Sequence, residues 1–190
     1  MFRWFCRLMF WLKGFKIEGW QVDGLKKYVI VAVPHTSNWD LIYAIAVFSI
    51  LKVPLRFTIK DSWMRFPFHL IMKPLGAIGI DRSQRKGMVE HMADILQKTD
   101  AEMALLVTPE GTRSRVDRWK SGFYQVAQLA RVPVALGFID YKRKVAGIGK
   151  LVYITGDKQA DLEEIVNFYS AITPKYPEKS YLGMDLLDSD

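Results

Sequence analysis

The chain has 190 residues, half of them hydrophobic and a quarter charged, with a formal net charge of +7. That is enough for one domain with a real core and short for two, and the composition excludes a disordered or low-complexity chain. The single cysteine, Cys6, excludes an intrachain disulfide, and the scattered histidines His35, His69 and His91 form no Cys/His cluster with zinc spacing.

Residues 1–12 read MFRWFCRLMFWL. A helix of that length is about 18 Å long and cannot cross a hydrocarbon core of about 30 Å. No small-residue cleavage site follows the apolar run, so a signal peptide is not expected. On a helical wheel Arg3 and Arg7 share one narrow stripe, bulky apolar side chains cover the rest, and Lys13 and Lys16 follow. Such a helix suits the plane of a membrane interface, where each cation near an anionic leaflet adds about 1 kcal/mol. A helix packed on the protein's own body is the other reading of the same pattern.

Beyond it, strand-like and helix-like segments alternate without linker or repeat. Tyr28–Pro34 is a short apolar run, the signature of a buried strand. Residues 39–51 read as a helix capped by Ser37 or Asn38 and stopped by Pro54. Strands are expected at Leu55–Lys60, Ala77–Ile80, Met103–Thr108, Pro133–Ile139 and Leu151–Thr155. Helices are expected over 62–72 with a break at Pro67, and over 84–98, 121–130 and 160–172, the last starting near Asp161. The order predicts an α/β fold: a single domain over 19–190 with a central, mostly parallel sheet flanked by helices, preceded by an amphipathic interfacial helix over 1–18. In such sheets, sites form in loops beyond strand ends.

Four short blocks stand at those ends. Pro34-His35-Thr36-Ser37-Asn38-Trp39-Asp40 follows the first buried strand and puts Asp40 in the first turn of the next helix. Five residues across that turn can bring an imidazole and a carboxylate together. The carboxylate would fix the ring tautomer, and the other ring nitrogen could take a proton from a hydroxyl. A capped loop is the commoner meaning of that spacing alone. Thr108-Pro109-Glu110-Gly111-Thr112-Arg113-Ser114 follows another strand. Gly111 permits close backbone approach, and Arg113 offers a planar fork of donors suited to phosphate. Gly76-Ala77-Ile78-Gly79-Ile80-Asp81-Arg82 ends a short strand in an Asp–Arg pair, and Val132-Pro133-Val134 announces a strand.

In this order the blocks resemble the four-block signature of the glycerophospholipid acyltransferase superfamily, which includes the 1-acylglycerol-3-phosphate acyltransferases. The resemblance runs from about residue 28 to residue 140, and Pro-Glu-Gly-Thr-Arg-Ser makes it specific. It makes 19–190 an acyltransferase domain, with His35 as general base toward the acceptor hydroxyl and Asp40 orienting it. The hydroxyl then attacks an acyl thioester, of coenzyme A or acyl carrier protein, without a covalent acyl-enzyme. By the same likeness Arg82 holds the acceptor's phosphate. Glu110, Gly111, Thr112 and Arg113 belong to the acceptor-binding block, and Pro133 belongs to the acyl side or to packing. Lys60 and Lys120 fall where many members carry a basic residue. No metal and no resident cofactor is implied; acyl-CoA or acyl-ACP is a co-substrate. Three positions depart from the common pattern: Pro34 for Asn, Gly79 for Phe and Thr108 for Phe. They touch pocket walls and put the acceptor and the acyl length in question more than the reaction.

Charge adds the partners. Residues 155–190 hold eight acids against three lysines, so the positive excess lies in the body. A basic body suits an anionic partner, whether membrane lipid, an acidic acyl carrier protein, a phosphorylated substrate or nucleic acid, and a solvated basic surface is the plainer reading of the same charge. Nucleic acid is not expected, because the aromatics gather at the N-terminus and are not interleaved with the cations. The expected place is the cytoplasmic face of a membrane, peripheral or monotopic. Two rival readings remain open at this point. One is a serine hydrolase using Ser37 or Ser114, against which no Gly-x-Ser-x-Gly elbow exists. The other is a peripheral lipid-binding protein without catalysis.

Overall fold

A computed structural model describes residues 1–19, 22, 24–80 and 87–182. The second buried segment of the sequence sets its centre. Strand β2 (Lys27–Ala32) carries Tyr28, Val29, Ile30 and Val31, all with no exposed surface. A strand apolar at successive positions must be covered on both faces, and it is. Val29 and Val31 face one core, Tyr28 and Ile30 the other.

Six further strands complete the sheet: β1 (Lys16–Ile17), β3 (Leu55–Lys60), β4 (Ala77–Ile80), β5 (Met103–Val107), β6 (Val134–Asp140) and β7 (Val145–Val152). Their order is β1-β7-β6-β2-β5-β3-β4. All paired neighbours run parallel except β6 and β7, which form an antiparallel hairpin. Helices α1 (Phe2–Lys13) and α2 (Asn38–Ile50) pack on one face. On the other lie α4 (Met88–Lys98), α5 (Gly122–Ala130) and α6 (Lys158–Ser170). The β3–β4 crossover returns over the α1–α2 face through a 3₁₀ turn (Asp61–Met64) and a single helical turn, α3 (His69–Met72), so the expected break at Pro67 is real.

Several boundaries differ from expectation. Helix α1 stops at Lys13, because Gly14 takes the left-handed conformation (φ 70°) that closes a helix, and the following residues become edge strand β1. The N-terminal segment is therefore joined to the sheet, not a helix over 1–18. Strand β7 starts six residues earlier than expected. Its Gly147 and Gly149 lower the strand signal, yet a Cβ on Gly147 would lie 1.6 Å from the Glu18 carbonyl oxygen, so glycine lets the edge chain approach. Helix α6 starts at Lys158 with Asp157 as cap, its side chain accepting from Ala160 N–H. Asp161 is instead buried, accepting from Tyr124 Oη at 2.9 Å and Thr155 Oγ1 at 2.8 Å. The expected start of the helix at 84 falls partly outside the described residues, which resume at Gly87.

Helix α1 packs on the protein's own body with one side and leaves the other side exposed. Cys6 and Phe10 are buried against α2, Phe10 meeting Tyr43 edge-on at 5.8 Å, and Arg3 Nε donates to the Ser49 carbonyl. Phe2, Trp4, Phe5, Trp11 and Leu12 remain 50–75% exposed. No helix among the described residues is long and apolar enough to cross a membrane.

Candidate active site

Strand register collects the motif blocks at one edge. Strands β2, β5, β3 and β4 are parallel; His35 and Glu110 follow the C-terminal ends of β2 and β5, and Lys60 is the last residue of β3. Arg82 lies outside the described residues. Pro133 lies at the opposite edge: its carbonyl accepts from Val29 N–H at 3.0 Å, just before β6 begins. Of the two roles expected for it, the register supports packing.

The His35–Asp40 pair is built by the start of α2. Ser37 is the helix cap, in extended conformation, and its hydroxyl accepts from Trp39 N–H at 3.1 Å. Asp40 answers in a reciprocal capping box, Oδ2 accepting from Ser37 N–H and Thr36 N–H, each at 2.8 Å. His35 Nδ1 lies 3.3 Å from the same oxygen. The other oxygen, Oδ1, accepts from Tyr141 Oη at 2.6 Å. Burial alone would raise the Asp40 pKa. Hydrogen bonds from His35, Tyr141, Ser37 and Thr36 outweigh it and hold the carboxyl below its ordinary value, so it is an anion at neutral pH. Nδ1 is the ring nitrogen that faces that anion, and a proton donated from it to Asp40 would leave Nε2 as the acceptor; the His35 side chain is 18% exposed.

Glu110 supports the same loop from β5. Its side chain is buried, and Oε2 accepts from His35 N–H at 2.6 Å. Burial pushes its carboxyl up to about 7 despite that bond and the nearby imidazole. Here it holds the histidine's backbone and is turned away from solvent. Tyr169 Oη, under the same strands, donates to the carbonyls of Val31 at 2.7 Å and Gly137 at 3.0 Å, tying α6 to the β2–β6 seam just before the loop.

After Glu110 the chain turns outward. Gly111 has φ +65°, and a Cβ there would stand 2.9 Å from Lys120 Nζ. The glycine thus admits both the left-handed turn and the lysine lying across it. Thr112, Arg113, Ser114 and Lys120 are exposed, Thr112 Oγ1 accepting from Ser114 N–H at 3.3 Å. Lys60 is exposed at the end of β3. Below them Trp119 is wholly buried, edge-on to Tyr169 at 6.3 Å, which anchors the loop.

Sequence reasoning missed Tyr141 and the segment after α6. Tyr141 stands in the β6–β7 turn, its ring edge-on to Tyr43 and Phe15. Its N–H donates to the Thr173 carbonyl, while Tyr176 N–H donates to Thr36 Oγ1 at 3.3 Å and Lys175 Nζ sits over the Trp39 ring. Only a tyrosine two residues after an apolar strand could have signalled this. Ser37, a rival nucleophile, is buried and engaged as a cap, and Ser114 lies on the exposed loop. Among the described residues no group of His, Cys, Asp and Glu is placed to hold a metal ion. The arrangement can accept one proton at Nε2, and the loop that follows Glu110 adds exposed cations.

Comparison with known proteins gives the family. A family model described as Acyltransferase matches residues 16–135. A Mycoplasma pneumoniae protein named as a probable 1-acyl-sn-glycerol-3-phosphate acyltransferase is 30% identical over 155 residues, which cover 73% of this chain. The chain spans only 57% of that relative's length. The crystal structure of the 1-acyl-sn-glycerophosphate acyltransferase PlsC from Thermotoga maritima superimposes with a TM-score of 0.59 at 16% identity, over 88% of this chain and 74% of that one. At that identity the likeness is one of fold.

Proposed function

Because the chain belongs to the acyltransferase family, we propose that it moves a fatty acyl group from an acyl thioester to a free hydroxyl of a lysophospholipid or related lipid. The observation that carries this is the Asp40 carboxylate, held by three donors besides His35 and so fixed against the ring at 3.3 Å. Nε2 accepts the proton of the acceptor hydroxyl as its oxygen attacks the thioester carbonyl. The imidazolium is stabilised by Asp40 and returns the proton to the thiolate as the C–S bond breaks, leaving an ester and a free thiol. General-base help of this kind is worth about 10²–10⁴-fold.

The exposed cations Lys60, Arg113 and Lys120, with Arg82 by family resemblance, suit an anionic headgroup, and Arg113 suits a phosphate best. Lysophosphatidate is therefore the first acceptor to offer, in keeping with the substrate in the relative's name. The exposed aromatic side of α1 would bring the protein to the membrane surface where such an acceptor resides. The donor is acyl-coenzyme A or acyl carrier protein, and the basic body suits either anion.

The test is thiol release by the purified chain, offering each donor against a panel of lysolipids. Release that requires a lysolipid, with the matching diacyl product, supports the reading. A folded protein that transfers to none of them overturns it.

A further inference from the structure

We infer that the β3–β4 crossover, residues 61–72, is a second membrane-docking element that enters an anionic lipid surface beside the outward side of α1. This rests on the membrane-surface reading just given and extends it to a second segment. The crossover meets its packing needs with few residues: Met64 and Met72 turn inward onto β3 and β4. Gly79, where the family often has Phe, makes that seat; a Cβ there would lie 2.8 Å from Met64 Cγ. The remaining apolar side chains are surplus to the core. Trp63, Phe66, Phe68, Leu70 and Ile71 are 48–80% exposed, clustered within nine residues, with Trp63 and Phe68 touching at 5.1 Å between ring centres. A solvated crossover has no use for five large outward hydrophobes.

Two observations identify the occupant as lipid. The first is sidedness. This segment, α1 and the first turns of α2 cover the same face of the sheet, and each exposes large apolar side chains, Trp39, Leu41 and Ile42 in the case of α2. On the opposite face, the described parts of α4, α5 and α6 expose only Leu129. The second is charge. Lys60, Arg65 and Lys73 rim the segment, with one acid, Asp61, paired to Arg65 at 4.0 Å. Aromatic and aliphatic side chains inside a cationic rim are complementary to an anionic headgroup layer over hydrocarbon.

The experiment measures binding of the full chain to phosphatidylcholine vesicles, with and without phosphatidylglycerol, with no acyl donor present. Compared are the wild type, Phe66→Glu/Ile71→Glu and Phe66→Leu/Ile71→Leu. The account expects at least a tenfold weaker partition for the glutamate pair, an unchanged thermal midpoint, and near wild-type binding for the leucine pair. Equal binding of wild type and glutamate pair would overturn this inference while leaving α1 as the docking element. No binding by the wild type would overturn both. A wild-type dimer in sedimentation velocity that the glutamate pair splits would also overturn it, by assigning the face to a second copy.

Discussion

The hydroxyl of Tyr141 makes the shortest bond to Asp40, 2.6 Å, from a residue 101 positions away in the chain. Without it, burial is less opposed and the Asp40 carboxyl moves up, so activity that needs its anion fails sooner on acidification. Tyr141→Phe is expected to lower kcat about tenfold and to move the acid limb of the pH–rate profile to higher pH. A wild-type profile would leave Tyr141 a packing residue only. Glu110 titrates the other way. Its folded value of about 7 lies above its ordinary value of 4.5, so the stability it contributes is full below 4.5 and is lost as pH rises through 7. Gln at 110 can still accept from His35 N–H but cannot ionise. From about pH 4.5 to 8 the wild type should therefore lose on the order of 3 kcal/mol relative to Glu110→Gln, read by urea unfolding. Parallel curves would show that Glu110 does not change charge. At this scale the sequence revealed what is local. His35 and Asp40 share one turn and a capping box, whereas Tyr141 and the backbone role of Glu110 depend on strand pairing that no spacing encodes.

At the scale of elements, apolar period and Gly/Pro punctuation were enough for β3 and β4, which match expectation residue for residue, and for α2 within one residue at each end. They were not enough for β1 and most of β7. A two-residue edge strand has no period, and the β7 glycines serve a close chain approach that looks like weak strand propensity. Helix α1 shows why composition left two readings open: it buries one side and exposes the other. Phe10→Ala should cost about 3–5 kcal/mol of folding stability, since Phe10 is buried in the α1–α2 seam. Trp11→Ala, at 75% exposure, should stay within about 0.5 kcal/mol yet weaken vesicle binding. Equal stability losses would mean that α1 does not divide into a packing side and a membrane side.

Over the whole molecule, parallel pairing turns blocks far apart in sequence into one site. Strands β2, β3, β4 and β5 end at a common edge, where Lys60 closes β3 and the loops leaving β2 and β5 carry His35 and Glu110. Alternation of strand and helix predicted this α/β class, though not the strand order that puts β2 between β5 and β6. The helices divide labour by face. Those over β2's Val29 and Val31 close the core, while α1, α2 and the 61–72 crossover leave apolar surface exposed on the other face. On the proposed membrane docking, acceptor and protein meet at one lipid surface.

The central claim is that His35 Nε2 takes the proton of a lipid hydroxyl as that hydroxyl attacks a thioester. Its most direct test is thiol release from an acyl thioester by wild type and by His35→Ala, with and without lysophosphatidate. The account predicts release only when acceptor is present, falling by at least about 10²-fold in a His35→Ala protein that folds normally. Release that ignores the acceptor, or that survives intact without His35, would contradict it.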